Sequence, residues 1–156
     1  MHVEIRTLPA MRLAYLRHSG PYGAPAIAQT WERLGAWCEA QGLMRPRPRF
    51  YGISHDDPGA TPAAQCRYDA CVPVDAAFAP QGDVGVQAFA GGRHACARFT
   101  GPASQMGAAW EWLYGQWLPA SGLQADQRPG VEVYEEDFAV DPATGAFSCW
   151  ICMPVR

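Results

Sequence analysis

At 156 residues, 49% hydrophobic and 17% charged, the chain has the apolar material for one domain with a real core and little of the composition of a disordered one. The formal net charge is -3 and the twelve Lys and Arg are scattered, which argues against a phosphate-binding footprint and so against direct nucleic-acid binding. No apolar run approaches bilayer-spanning length and the N-terminus has no signal-peptide core, so a cytoplasmic protein without a membrane partner is expected.

In chain order, the alternation of Val3–Leu8 predicts a strand, and residues 12–18 predict a second. Gly20-Pro21 opens a helix in which Ile27, Trp31, Leu34 and Trp37 or Cys38 recur every three to four residues, and Gly42 closes it. Phe50–Ser54 and residues 67–72 read as strands around the turn Asp56-Asp57-Pro58-Gly59. Arg67 and Asp69 read as solvent-facing, which turns Tyr68 to the other side. Strands are expected again at 84–90 and 94–100. Gly101-Pro102 then opens a second helix, marked by Met106, Trp110, Leu113 and Trp117 and closed by Gly122. The last two strands are expected at 131–138 and 148–155, with Phe147, Cys149 and Ile151 turned inward.

The second half restates the first. Gly20-Pro21 recurs at Gly101-Pro102, Pro48 at Pro129, Asp56 at Asp137, Cys71 at Cys152 and Pro73 at Pro154, each 81 residues on, while Trp31 recurs at Trp110 after 79. The expectation is an α+β fold. Two pseudo-symmetric strand–helix–strand–strand modules, roughly 1–76 and 82–156, build one antiparallel sheet with two long helices and a central ligand cleft, a single domain over 1–156. The two modules use the whole chain and leave no helix-turn-helix segment.

Chemistry-bearing motifs are few. The six cysteines read as reduced thiols, and Cys149 and Cys152, three apart in a strand, point to opposite faces. His18, His55 and His94 lack metal-ligand spacing. There is no phosphate loop and no G-x-S-x-G nucleophile, so neither metal nor cofactor is expected. The unusual feature is Glu132, between Val131 and Val133 in GVEVYEEDF. Strand alternation puts Glu132 and Tyr134 on one face and the valines on the other. The ordinary reading of such an acid is a wet surface. The 81-residue offset, however, makes Tyr51 its counterpart, so that a phenol and a carboxylate look into the seam from two sides.

The motifs YLRHSGPYG, YGISHDDP with CRYDACVPV, and PGVEVYEEDF with CWICMPV, in this order over essentially the whole chain, resemble the GyrI-like family. That family shares its fold with effector-binding domains of multidrug-sensing transcription activators of the BmrR and Rob type. The resemblance implies a standalone small-molecule binder in which Glu132, at the family's acidic position, pairs with hydrophobic, often cationic organic ligands. Tyr51, Tyr68, Trp110 and Phe147 are its expected walls. It also implies two alternatives. One is a hydrolase opening cyclopropane rings of alkylating natural products, with Glu132 activating water. The other is an inhibitor whose partner is DNA gyrase.

Overall fold

The computed structural model describes residues 1–23 and 25–156. Eight strands form one antiparallel sheet: β1 (Val3–Leu8), β2 (Met11–Ser19), β3 (Phe50–Ser54), β4 (Arg67–Pro73), β5 (Gly85–Phe89), β6 (Gly92–Gly101), β7 (Gly130–Tyr134) and β8 (Phe147–Pro154). Their order across the sheet is β1-β6-β8-β7-β3-β4-β2-β5. Helix α1 (Pro25–Ala40) follows β2, and α2 (Met106–Trp112) follows β6. The second helix does not run as one α-helix: a π-helical turn, Leu113–Trp117, leads into a last α-helical turn, Leu118–Ser121. Gly42 and Gly122, just past the helix ends, take the left-handed conformation that a terminating turn requires.

The order is a palindrome centred on the β7–β3 pairing, in which each half holds three strands of one module and, at its outer edge, the first strand of the other, β1 beside β6 and β5 beside β2. It also forces the sheet to curl. β1 and β2 lie six strand steps apart, ~29 Å in a flat sheet at about 4.8 Å per step. The link from Leu8 to Met11 spans at most ~11 Å over three Cα steps. The inner face of the curl carries a single cluster that unites both ends of the sheet, with Leu13, Ile53, Phe89, Cys96, Val131 and Trp150 among its members. The outer face carries two clusters. Leu34 and Cys38 of α1 pack on Leu16, Ala70 and Val72, and Ala109 and Leu113 pack on Ala97, Phe99 and Ile151. The central strands β3 and β7 therefore form the floor of a groove between the helices.

Two expectations are corrected. The strand expected to reach Phe138 ends at Tyr134, because Glu135 to Phe138 close a turn in which the Phe138 amide donates to the Glu135 carbonyl. Asp69, read as solvent-facing, is fully buried. Its carboxylate accepts two hydrogen bonds from Arg17 (2.8 and 2.9 Å) and one from Gln87 (2.8 Å), and it pairs with His55 Nε2 at 2.7 Å. No helix among the described residues is long and apolar enough to cross a membrane.

Candidate functional site

The stretch GVEVY is a strand because valine's branched side chain suits a pleated surface, and its alternation sorts the two faces. Val131 and Val133 enter the inner core, so Glu132 and Tyr134 point into the groove. Glu132 is 7% exposed. Its Oε1 accepts two hydrogen bonds, from the Tyr68 hydroxyl at 2.7 Å and the Tyr134 hydroxyl at 2.8 Å. The Trp31 indole N–H donates in turn to the Tyr68 oxygen at 3.2 Å, so α1, β4 and β7 are tied together at this carboxylate. Oε2 takes no full hydrogen bond among the described residues and is not among the sealed, unpartnered buried atoms, so it faces the groove. The Trp110 indole N–H reaches toward the carboxylate without the geometry of a full hydrogen bond, yet still favours its charged form.

Among the described residues no cation balances this acid. Burial drives its pKa up, and Tyr68, Tyr134 and Trp110 pull it only partly back, leaving it above the ordinary glutamate value. The charge acts on its neighbours in the same direction. Burial and Glu132 together hold Tyr68, Tyr134 and the Cys149 thiol above their usual ranges.

The walls are aromatic. Trp31 meets Phe50, Tyr68 and Tyr134 edge to face at centroid distances of 6.1, 6.2 and 5.4 Å. Phe138 and Phe147 cover Tyr134 at 5.1 and 6.1 Å. On the α2 side Trp110 leans over Gly130, where a Cβ would lie 3.1 Å from its ring, and stacks at 6.0 Å on Tyr114. The groove thus brings together Glu132, Tyr68, Trp110 and Phe147.

Tyr51 does not join them. It pairs with Val133, points to the inner face and is buried beside Ile53 and Val131. The cause is a one-residue slip in the repeat. Cys71 and Cys152 are 81 apart, but their partners Tyr51 and Val131 are 80 apart. Within a strand a shift of one residue exchanges the faces. The residue opposite Glu132 is Gly52.

Tyr134 shares Glu132's face by simple parity, and that was the available signal for it. Trp31 and Phe138 gave none, since helical spacing marks Trp31 for the core and the strand pattern hides the turn at Phe138. Two broad surface depressions do not reach Glu132, although the second borders the groove at Phe138 and Phe147. One, of about 490 Å³, is bordered by Tyr15, Arg33 and Asp83; the other, of about 450 Å³, by Arg98, Phe138, Val140 and Phe147. Neither includes Glu132, and both are open and lack a buried polar group without a countercharge, which is what singles out the groove.

A family model for the GyrI-like small molecule binding domain matches residues 1–156. A DNA gyrase inhibitor of Edwardsiella piscicida is 31% identical over 160 residues, covering 100% of this chain and 99% of that protein. The prophage-derived YosT of Bacillus subtilis (strain 168) is 33% identical over 95 residues, 61% of this chain, which spans only 63% of that protein's length. Among solved structures, SAV2435 bound to tetraphenylphosphonium superposes with a TM-score of 0.64 at 16% identity, covering 100% of this chain and 94% of that one. A hydrolase from Listeria innocua does so with 0.66 at 12%, covering 99% and 91%.

Proposed function

Since the chain belongs to the GyrI-like family of small-molecule binding domains, we propose that its groove binds lipophilic organic cations, with Glu132 as the anionic partner and Trp31, Tyr68, Trp110 and Phe147 as walls. The observation that carries this reading is the buried carboxylate without a countercharge among the described residues, one of whose oxygens takes no full hydrogen bond and has only the Trp110 indole N–H reaching toward the carboxylate. An isolated buried charge is costly, and a bound cation offsets that cost. Aromatic faces add about 0.5–2 kcal/mol each by cation–π attraction. Few directed hydrogen bonds are offered, so selectivity rests on charge and apolar bulk more than on shape.

A protein of the same fold holds tetraphenylphosphonium, which makes that cation a natural first probe. In equilibrium dialysis wild-type protein should retain it, and Glu132→Gln, which keeps the shape and removes the charge, should lose at least about tenfold in affinity. Equal retention by both proteins would refute the assignment.

A hydrolytic reading has its own support. A desolvated carboxylate with an elevated pKa and a free oxygen is a competent general base, and two phenols stand beside it as donors. On that reading Glu132→Gln should still bind a neutral cyclopropane substrate and abolish its turnover. A gyrase-binding role draws less support from the acidic tip at 135–137. Glu135 is paired with Arg98 and Trp150, and Glu136 with Arg49.

A further inference from the structure

The two oxygens of Glu132 are not equivalent, and the difference bears on ligand chemistry. Both tyrosine hydroxyls converge on Oε1 and occupy its lone pairs, whereas Oε2 is open to the groove. When the carboxyl is protonated, the proton belongs on Oε2, because Oε1 already accepts two O–H groups. In that state the groove presents a hydrogen-bond donor at the same point where the ionised form presents a negative oxygen. We propose that Glu132 serves two ligand classes through this one oxygen: lipophilic cations against its ionised form, and neutral lipophilic hydrogen-bond acceptors such as phosphine oxides, amides and ketones against its protonated form.

The surroundings allow both forms. The titratable groups facing the carboxylate are Tyr68 from β4, Tyr134 from β7 and Cys149 from β8. The helices contribute Trp31 and Trp110, and β3 contributes only Gly52. Tyr22 stands behind Tyr68 at a ring distance of 6.4 Å. None of these is a cation, so nothing pins Glu132 in the ionised state, while the two phenols prevent burial alone from fixing it as neutral. A neutral acceptor that binds draws one proton from solvent onto Oε2, and a cation that binds returns it. Glutamine reproduces the protonated state: its amide oxygen can accept from Tyr68 and Tyr134, and its NH2 stands where Oε2–H would donate.

This inference rests on the groove being a ligand site and is tested with two probes of similar bulk, tetraphenylphosphonium and triphenylphosphine oxide. Titration calorimetry of the full chain between pH 5 and 8, in phosphate and in Tris, counts the protons exchanged. The cation should release up to one proton and bind more tightly as pH rises. The oxide should take up to one proton and bind more weakly as pH rises. Glu132→Gln should lose at least about tenfold for the cation and keep the oxide within about threefold. Oxide binding without proton uptake, or equal weakening of both probes in Glu132→Gln, overturns the proposal. Binding of the cation but not the oxide to wild type overturns it too, while leaving the cation site standing. Binding of neither probe would instead defeat the ligand-site reading itself.

Discussion

Gly52 lies directly across the β3–β7 pairing from Glu132, and a Cβ on it would overlap the Tyr68 hydroxyl and fall 2.7 Å from Glu132 Oε1. The hydrogen bond between Tyr68 and Glu132 runs over the one position in β3 where nothing stands in its way. A backbone site in a strand interior is a poor place for glycine on propensity grounds, so a close approach is what the residue serves.

Gly52→Ala should therefore push Tyr68 off the carboxylate. The overpacking should cost about 1–3 kcal/mol in denaturant unfolding. With one donor withdrawn, the Glu132 pKa should rise further above its ordinary value, read by NMR titration of labelled glutamate. An unchanged pKa in Gly52→Ala would mean that Tyr68 finds Glu132 by another route.

Tyr68→Phe and Tyr134→Phe each remove one donor from a buried carboxylate. Each should cost about 1.5–3 kcal/mol at neutral pH. The cost should shrink as the solution is acidified and Glu132 becomes protonated. In a double-mutant cycle each change should couple to Glu132→Gln, since they share one oxygen. Additive effects would show that the two hydroxyls bond elsewhere in solution.

Two buried acids of this chain should act on stability in opposite directions with pH. Burial alone would raise the Asp69 pKa, but the hydrogen bonds of Arg17, His55 and Gln87 override it and hold the carboxyl at about 2 against an ordinary 3.8. The unfolded chain thus binds the proton more tightly, so the stabilisation from Asp69 is complete above pH 3.8 and is lost as pH falls from 3.8 through 2. Asp69→Asn should flatten this acid limb. Its cost at neutral pH should fall below the ~3–5 kcal/mol of a fully buried pair, because the Arg17 side chain is 36% exposed. An acid limb of unchanged steepness would remove Asp69 from the explanation.

For Glu132 the folded state binds the proton more tightly, so its contribution falls as pH rises from the ordinary value of 4.5 through the raised one. Glu132→Gln should unfold at a higher temperature than wild type at neutral pH, and the gap should close toward pH 4. A binding site that carries an uncompensated charge is a common place for stability to be given up for function. A variant less stable than wild type at pH 7 would show that the carboxylate holds the fold together rather than straining it.

Much of this arrangement is legible in the sequence, for reasons that differ from element to element. Strand alternation in GVEVY places Glu132 and Tyr134 on one face, and the register agrees. Alternation also separates Cys149, which packs beneath the groove, from Cys152 in the inner core. The same rule turned Tyr68 toward the groove, although the premise for it, an exposed Asp69, does not hold: the inner face of a curled sheet buries what a flat sheet would expose. The repeat alone puts Tyr51 in the seam with Glu132, because an 81-residue offset is a good guide to topology but not to side-chain direction. The slip to 80 between β3 and β7 is invisible without the register. The role of Gly52 follows from that slip, since only the register shows which residue faces Glu132.

The most direct measurement is a crystal structure of the protein with bound tetraphenylphosphonium. The cation should sit over β3 and β7 with its centre toward Glu132 Oε2, between Trp31 and Trp110, and with Tyr68 and Tyr134 still bonded to Oε1. A cation bound instead in the depression beside Val140 and Phe147, or in the one beside Tyr15 and Arg33, with Glu132 untouched, would contradict the central role given to this carboxylate.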